Sequence, residues 1–168
     1  MKVVIFYTLF LFIITPFLPN IIQFASKYWP RASVAHFVLI IEIMIAFLLF
    51  IMSGWLFISY RSKFFPFLIG ISAIFIINFI IYQFLPNPYE YTHLPEYAIL
   101  GFLLAKALIK NTKDPYLKSF LYATFIGIFD ELYQGILPSR SFAWYDIILN
   151  AMGSVVGLLV FWGTQKNR

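Results

Sequence analysis

Apolar residues fill this chain in long runs, and short polar breaks divide them. A helix that crosses a bilayer needs about 20 mostly apolar residues at a rise of about 1.5 Å each. Six runs reach or approach that length: 3–18, 33–58, 64–85, 94–109, 115–137 and 142–163. Pro16, Pro19 and Asn20 end the first. A semi-polar link follows, in which Ile21, Ile22 and Phe24 can lie along a membrane surface and Tyr28 and Trp29 sit where interfacial anchors belong. Ser33 is placed to cap the second run. Asp114-Pro115 opens the fifth as a cap followed by proline at the first helical position. Pro95 falls in the first turn of the fourth, where proline is tolerated. No internal repeat or low-complexity tract interrupts the pattern. The expected fold class is therefore all-α: a polytopic transmembrane bundle of about six helices, folded as one domain over residues 1–168.

Composition supports this reading. The chain is 62% hydrophobic with a mean hydropathy of +0.86, and only 11% of it is charged, against about a quarter charged in soluble domains. The absence of cysteine excludes disulfides, thiol catalysis and zinc–thiolate sites. The net charge of +5 does not point to nucleic acid, because the basic residues fall in short breaks between runs. Placing the N-terminus inside puts Lys2, Arg61, Lys63, Lys110, Lys113, Lys118, Lys166 and Arg168 on the inner side. Lys27, Arg31, Arg140 and Glu90 then lie outside, so the positive-inside rule favours an N-in/C-in arrangement. The first run follows a single Lys and lacks a convincing small-x-small cleavage site, so it is expected to be a retained helix rather than a signal peptide.

Against that background the stretch 127–157 stands out. Asp130, Glu131 and Gln134 sit near the end of one apolar run, Arg140 in the turn after it, and Asp146 and Asn150 at the start of the next. In the N-in arrangement these groups fall in the outer half of the bundle, with Asp130 about 10 Å below the outer end of its helix. His93, Glu96 and Tyr97 enter from the same side, and His36, Glu42, Asn78 and Gln83 also lie in outer halves. His93 and Tyr97, Asp130 and Gln134, and Asp146 and Asn150 are each four apart, and so share a helix face. Glu131 is turned about 100° from Asp130, so only one of the two can point squarely into a given cleft, and Gln134 does not decide between them. Charges at this depth usually face a partner or a wet cavity. Gly153 and Gly157, with Gly127 on the preceding helix, read as close-packing positions.

These residues resemble the VanZ-like family of small bacterial membrane proteins. The family pattern is a His-x-x-x-Tyr opening a helix, an acidic-Glu-x-x-Gln, an Arg in the following turn, and an Asp-x-x-x-Asn-x-x-Gly. Here these are His93 to Tyr97, Asp130-Glu131 to Gln134, Arg140, and Asp146 to Asn150 and Gly153. The resemblance covers residues 92–157 and leaves 1–90 unassigned. Members often carry Asp-Lys just before the His; this chain has Tyr89-Glu90, so a role resting on that Lys does not carry over. The resemblance implies a multi-pass protein of the bacterial cytoplasmic membrane. The family's namesake is associated with teicoplanin resistance.

The expected function is action on, or binding of, a lipid or cell-envelope precursor head group at the outer leaflet. Glu131 is the acid/base candidate, with Asp146 and His93 as its catalytic partners. Arg140 suits a phosphate or carboxylate, while Gln134, Asn150, Asp130 and Tyr97 complete the binding set. Whether the protein is an enzyme stays open. The alternatives are a non-catalytic resistance or envelope accessory factor, a small transporter, or a buried network that only fixes helix order. No cofactor is expected. A divalent cation on Glu131, Asp146 and His93 is conceivable, but no tight ligand spacing argues for one, so no metal is assigned. The bilayer is the expected partner, and the sequence fixes no oligomeric state.

Overall fold

A computed structural model of the chain describes residues 1–30, 92–138 and 140–165, with single helical positions at 33, 36, 37, 40, 44, 51, 68, 69, 72, 73 and 76. The expected helices 33–58 and 64–85 therefore lie outside the described residues for most of their length, as do Glu42, Asn78, Gln83 and Glu90. Among the described residues there are five helices and no strand: α1 Lys2–Ile14, α2 Leu18–Tyr28, α3 His93–Leu108, α4 Pro115–Ile136 and α5 Trp144–Thr164. The last three match the expected runs 94–109, 115–137 and 142–163 to within two residues.

Two local expectations are refined. The first run stops at Ile14, ahead of Pro16, and α2 leaves it at 48°. The semi-polar link is itself helical over Leu18–Tyr28, with Ile21, Phe24, Tyr28 and Trp29 exposed. Asp114 does precede Pro115 at the start of α4, but its side chain makes no capping hydrogen bond.

By length and apolarity α5 can cross a membrane, and α1 with α2 can do so if the bent pair is one span. The 16 residues of α3 extend about 24 Å, short of a bilayer core of about 30 Å. At 22 residues α4 is long enough, but Lys118, Asp130, Glu131 and Gln134 make it too polar for the same test.

The faces of α4 are the reverse of a soluble helix. It buries Ser119, Ala123, Gly127, Asp130, Glu131 and Gln134. It exposes Leu117, Leu121, Phe125, Phe129, Leu132 and Ile136, a stripe at spacings of three and four that covers one side of the helix. Large apolar side chains outside and polar ones inside is the order that a hydrocarbon solvent favours.

The three later helices are held by close backbone approach. α5 packs mainly on α3 and next on α4, and α1 adds contacts to α3. A Cβ at Gly153 would lie 2.5 Å from Leu94 O, one at Gly101 2.5 Å from Ser154 O, and one at Gly157 would overlap Ala98 O. Small residues on both partners therefore let α3 and α5 touch along their length, as the Gly153/Gly157 spacing predicted. Gly127 does the same between α4 and α5, where a Cβ would meet Asn150 Cβ at 2.9 Å. Val4, Tyr97, Leu100, Leu104 and Ala123 form the apolar cluster that joins α1, α3 and α4.

Candidate functional site

Short turns at 109–114 and 137–143 make α3, α4 and α5 alternate in direction. The start of α3, the end of α4 and the start of α5 therefore meet at one end. His93, Tyr97, Asp130, Glu131, Gln134, Asp146 and Asn150 are all buried there, none more than 4% exposed. Arg140, in the turn between α4 and α5, is half-buried. The structure brings all eight expected site residues together.

The network is built in layers. His93 Nδ1 lies 3.0 Å from Asn150 Oδ1. A carbonyl oxygen only accepts, so Nδ1 carries the proton and donates it. That bond fixes the ring with Nε2 turned toward two carboxylates, Asp146 Oδ2 at 3.6 Å and Glu131 Oε1 at 4.0 Å. The other Glu131 oxygen, Oε2, accepts from the Ala143 backbone N–H at 3.2 Å. Gln134 joins the two carboxylates of its own helix. Its Nε2 donates to Asp130 Oδ2 and to Glu131 Oε1, each at 3.1 Å. Its Oε1 accepts from Arg140 Nε at 2.8 Å and also from the Arg140 terminal nitrogen.

The expected rivalry between Asp130 and Glu131 resolves without a loser. Both are buried because they serve two sides of the network. Glu131 faces His93 and Asp146. Asp130 faces Tyr97, whose hydroxyl lies 3.4 Å from Oδ2, and Thr15 of α1, whose hydroxyl lies 3.4 Å from Oδ1. The Thr15 hydroxyl also lies 2.9 Å from Leu11 O, and its one proton serves one acceptor at a time. Gln134 favours neither carboxylate because it bonds both.

Three contributors escaped the sequence. Thr15 is one of three hydroxyl residues, with Tyr7 and Thr8, in the first apolar run, a signal too weak to single out. Tyr7 donates to Glu96 O at 3.0 Å and ties α1 to the first turn of α3. The Ala143 N–H is a backbone group without a side-chain signature. Glu96 itself is half-buried, and His36 is exposed.

Chemically, the site offers an oriented imidazole, three buried carboxylates and a guanidinium at its more open edge. One donor atom each from His93, Glu131 and Asp146 lie within 4.8 Å of one another, which is the donor set a cation would use. Comparison of the chain with protein-family models, with curated proteins and with solved structures finds no match.

Proposed function

We propose that this chain is a multi-pass, VanZ-like protein of a bacterial cytoplasmic membrane, arranged N-in/C-in. In this reading the charged site lies near the outer leaflet and takes the head group of a lipid or lipid-linked envelope precursor. The observation that carries it is the gathering of His93, Asp130, Glu131, Gln134, Asp146 and Asn150 inside helices whose outer faces are apolar. A buried charge cluster of this size is a costly way to pack helices in a membrane. Arg140 is its most accessible member and the natural first contact for an anionic head group. Glu131 and His93 stand behind it as proton donor and acceptor, if chemistry follows binding.

A second reading has its own support. Several members bond to one another, which also describes a polar brace that fixes helix order and binds nothing. Mass spectrometry of lipid retained by the purified protein in mild detergent separates the two. The head-group reading expects enrichment of one anionic class over the bulk membrane, reduced by Arg140→Gln while the protein stays monodisperse. Retained lipid that mirrors the bulk membrane, unchanged by Arg140→Gln, leaves the brace.

A further inference from the structure

We propose that His93, Glu131 and Asp146 bind a divalent first-row transition ion, of the zinc or manganese kind. Helix spacing alone did not suggest this, because the ligands come from three different helices. Three observations together support it.

The first is donor geometry. His93 Nε2 stands 3.6 Å from Asp146 Oδ2 and 4.0 Å from Glu131 Oε1. These separations exceed a hydrogen bond of about 2.7–3.2 Å. The two His93 separations match ligands that share an ion, since with each donor about 2.0–2.2 Å from the metal neighbouring ligands lie about 3–4 Å apart, and all three donors lie within 4.8 Å of one another. The second is orientation of the ligands from behind. Asn150 Oδ1 takes the Nδ1 proton of His93, which presents the Nε2 lone pair to the carboxylates. Metal-bound histidines are almost always held this way. The Ala143 N–H and Gln134 likewise fix the Glu131 carboxylate.

The third is charge. Asp130, Glu131 and Asp146 are buried together, and among the described residues of this network Arg140 is the fixed cation. With Glu96 in the first turn of α3 as a fourth carboxyl beside Asp130 and Arg140, acidic groups outnumber the guanidinium among the described residues of the network, and a divalent ion would offset part of that excess. Like charges held close together in a buried site repel one another, so a bound cation would stabilise the fold as well as occupy the site. The imidazole ligand favours a transition ion over magnesium or calcium, which prefer all-oxygen shells.

The test uses the full-length, tag-free protein in detergent, stripped with chelator, reloaded with Zn²⁺ or Mn²⁺ and desalted. About one ion per chain is expected by elemental analysis, with Mg²⁺ failing to compete. His93→Gln and Asp146→Asn should each weaken binding at least about tenfold. Ser119→Ala, buried on α4 and bonded to Pro115 O, should bind like the parent. X-ray absorption of the zinc-loaded parent needs no variant and should show one imidazole nitrogen among oxygen ligands. Substoichiometric metal, binding indifferent to both ligand variants, or an all-oxygen shell would each overturn the proposal. Head-group binding through Arg140 is independent of this result, since lipid retention is measured on metal-stripped protein; a bound ion would replace the proton role given to Glu131 and His93.

Discussion

His93 Nδ1 lies 3.0 Å from Asn150 Oδ1, a bond between the first residue of α3 and the second turn of α5. Both side chains are almost fully buried. The bond sets the imidazole tautomer, and through it the direction in which Nε2 meets Glu131 and Asp146. Asn150 therefore acts on the site by positioning His93.

Asn150→Leu keeps the branching at Cγ with a somewhat larger side chain and removes the acceptor. The His93 N–H is then buried without its partner, which costs about 1–3 kcal/mol. Thermal melting in detergent should show the loss. Ser154→Ala on the same helix is the comparison. Ser154 is equally buried, but its hydroxyl bonds the backbone of its own helix, at Ala151 O. It should lower the melting temperature less than Asn150→Leu; an equal effect would mean that Asn150 matters only as packing.

Gly157→Ala should destabilise the α3–α5 pair. A Cβ there would overlap the Ala98 carbonyl, a backbone group that cannot swing aside. Overpacking of this kind costs about 1–3 kcal/mol. Gly135→Ala is the control, because its Cβ would meet Phe142 Cβ at 3.1 Å, in the turn between α4 and α5 on an exposed face. Relief needs a shift of only a few tenths of an ångström in that turn, against an actual overlap at Gly157, and alanine favours a helix over glycine by about 0.5–1 kcal/mol, so the loss should be much smaller than for Gly157→Ala. Melting curves and the monomer fraction in detergent read both.

How much of this was legible in the sequence depends on which residues carry it. The boundaries of α3, α4 and α5 were readable because apolar runs ended at Pro, Lys and Gly. The site was readable because Asp130, Glu131 and Asp146 are rare events in such runs, and because alternating helices bring their ends together. The link between α1 and the site was not readable. Thr15 and Tyr7 reach it through one hydroxyl each, and hydroxyls are ordinary in apolar helices. The double burial of Asp130 and Glu131 was also hidden, since helical phase alone says that they diverge by about 100°. It takes Tyr97 and Thr15 on one side and His93 on the other to give each a place. The ligand geometry of His93, Glu131 and Asp146 depends on how three helices cross, which no spacing within one helix encodes.

Phe125→Arg tests whether the outer stripe of α4 meets lipid. Phe125 is 58% exposed in the middle of α4, between Leu121 and Phe129. In water a charged replacement there would be harmless or solubilising. In a bilayer it should cost about 2.5–3.5 kcal/mol on insertion scales. The expected result is a several-fold fall in carbonate-resistant membrane protein. Undiminished yield of a variant that stays soluble without detergent would show that the stripe faces water.

Asp146→Asn should change sign with metal. In stripped protein three buried carboxylates repel one another across a network with one guanidinium. Replacing Asp146 by its amide removes one negative charge from that network. It also offers an N–H toward His93 Nε2, now 3.6 Å from the Asp146 oxygen. The metal-free variant should therefore melt at or above the parent's temperature. With zinc present the order should reverse, because the parent gains a ligand-bound state that the variant largely lacks. Stabilisation by a ligand grows as RT ln(1 + [L]/Kd), or about 2.7 kcal/mol at one hundred times Kd. A variant that binds at least tenfold more weakly forfeits about 1.4 kcal/mol of it. Paired melts in chelator and in zinc read both halves of the prediction. A variant below the parent by the same margin in both conditions would make Asp146 a structural partner of His93 and nothing more.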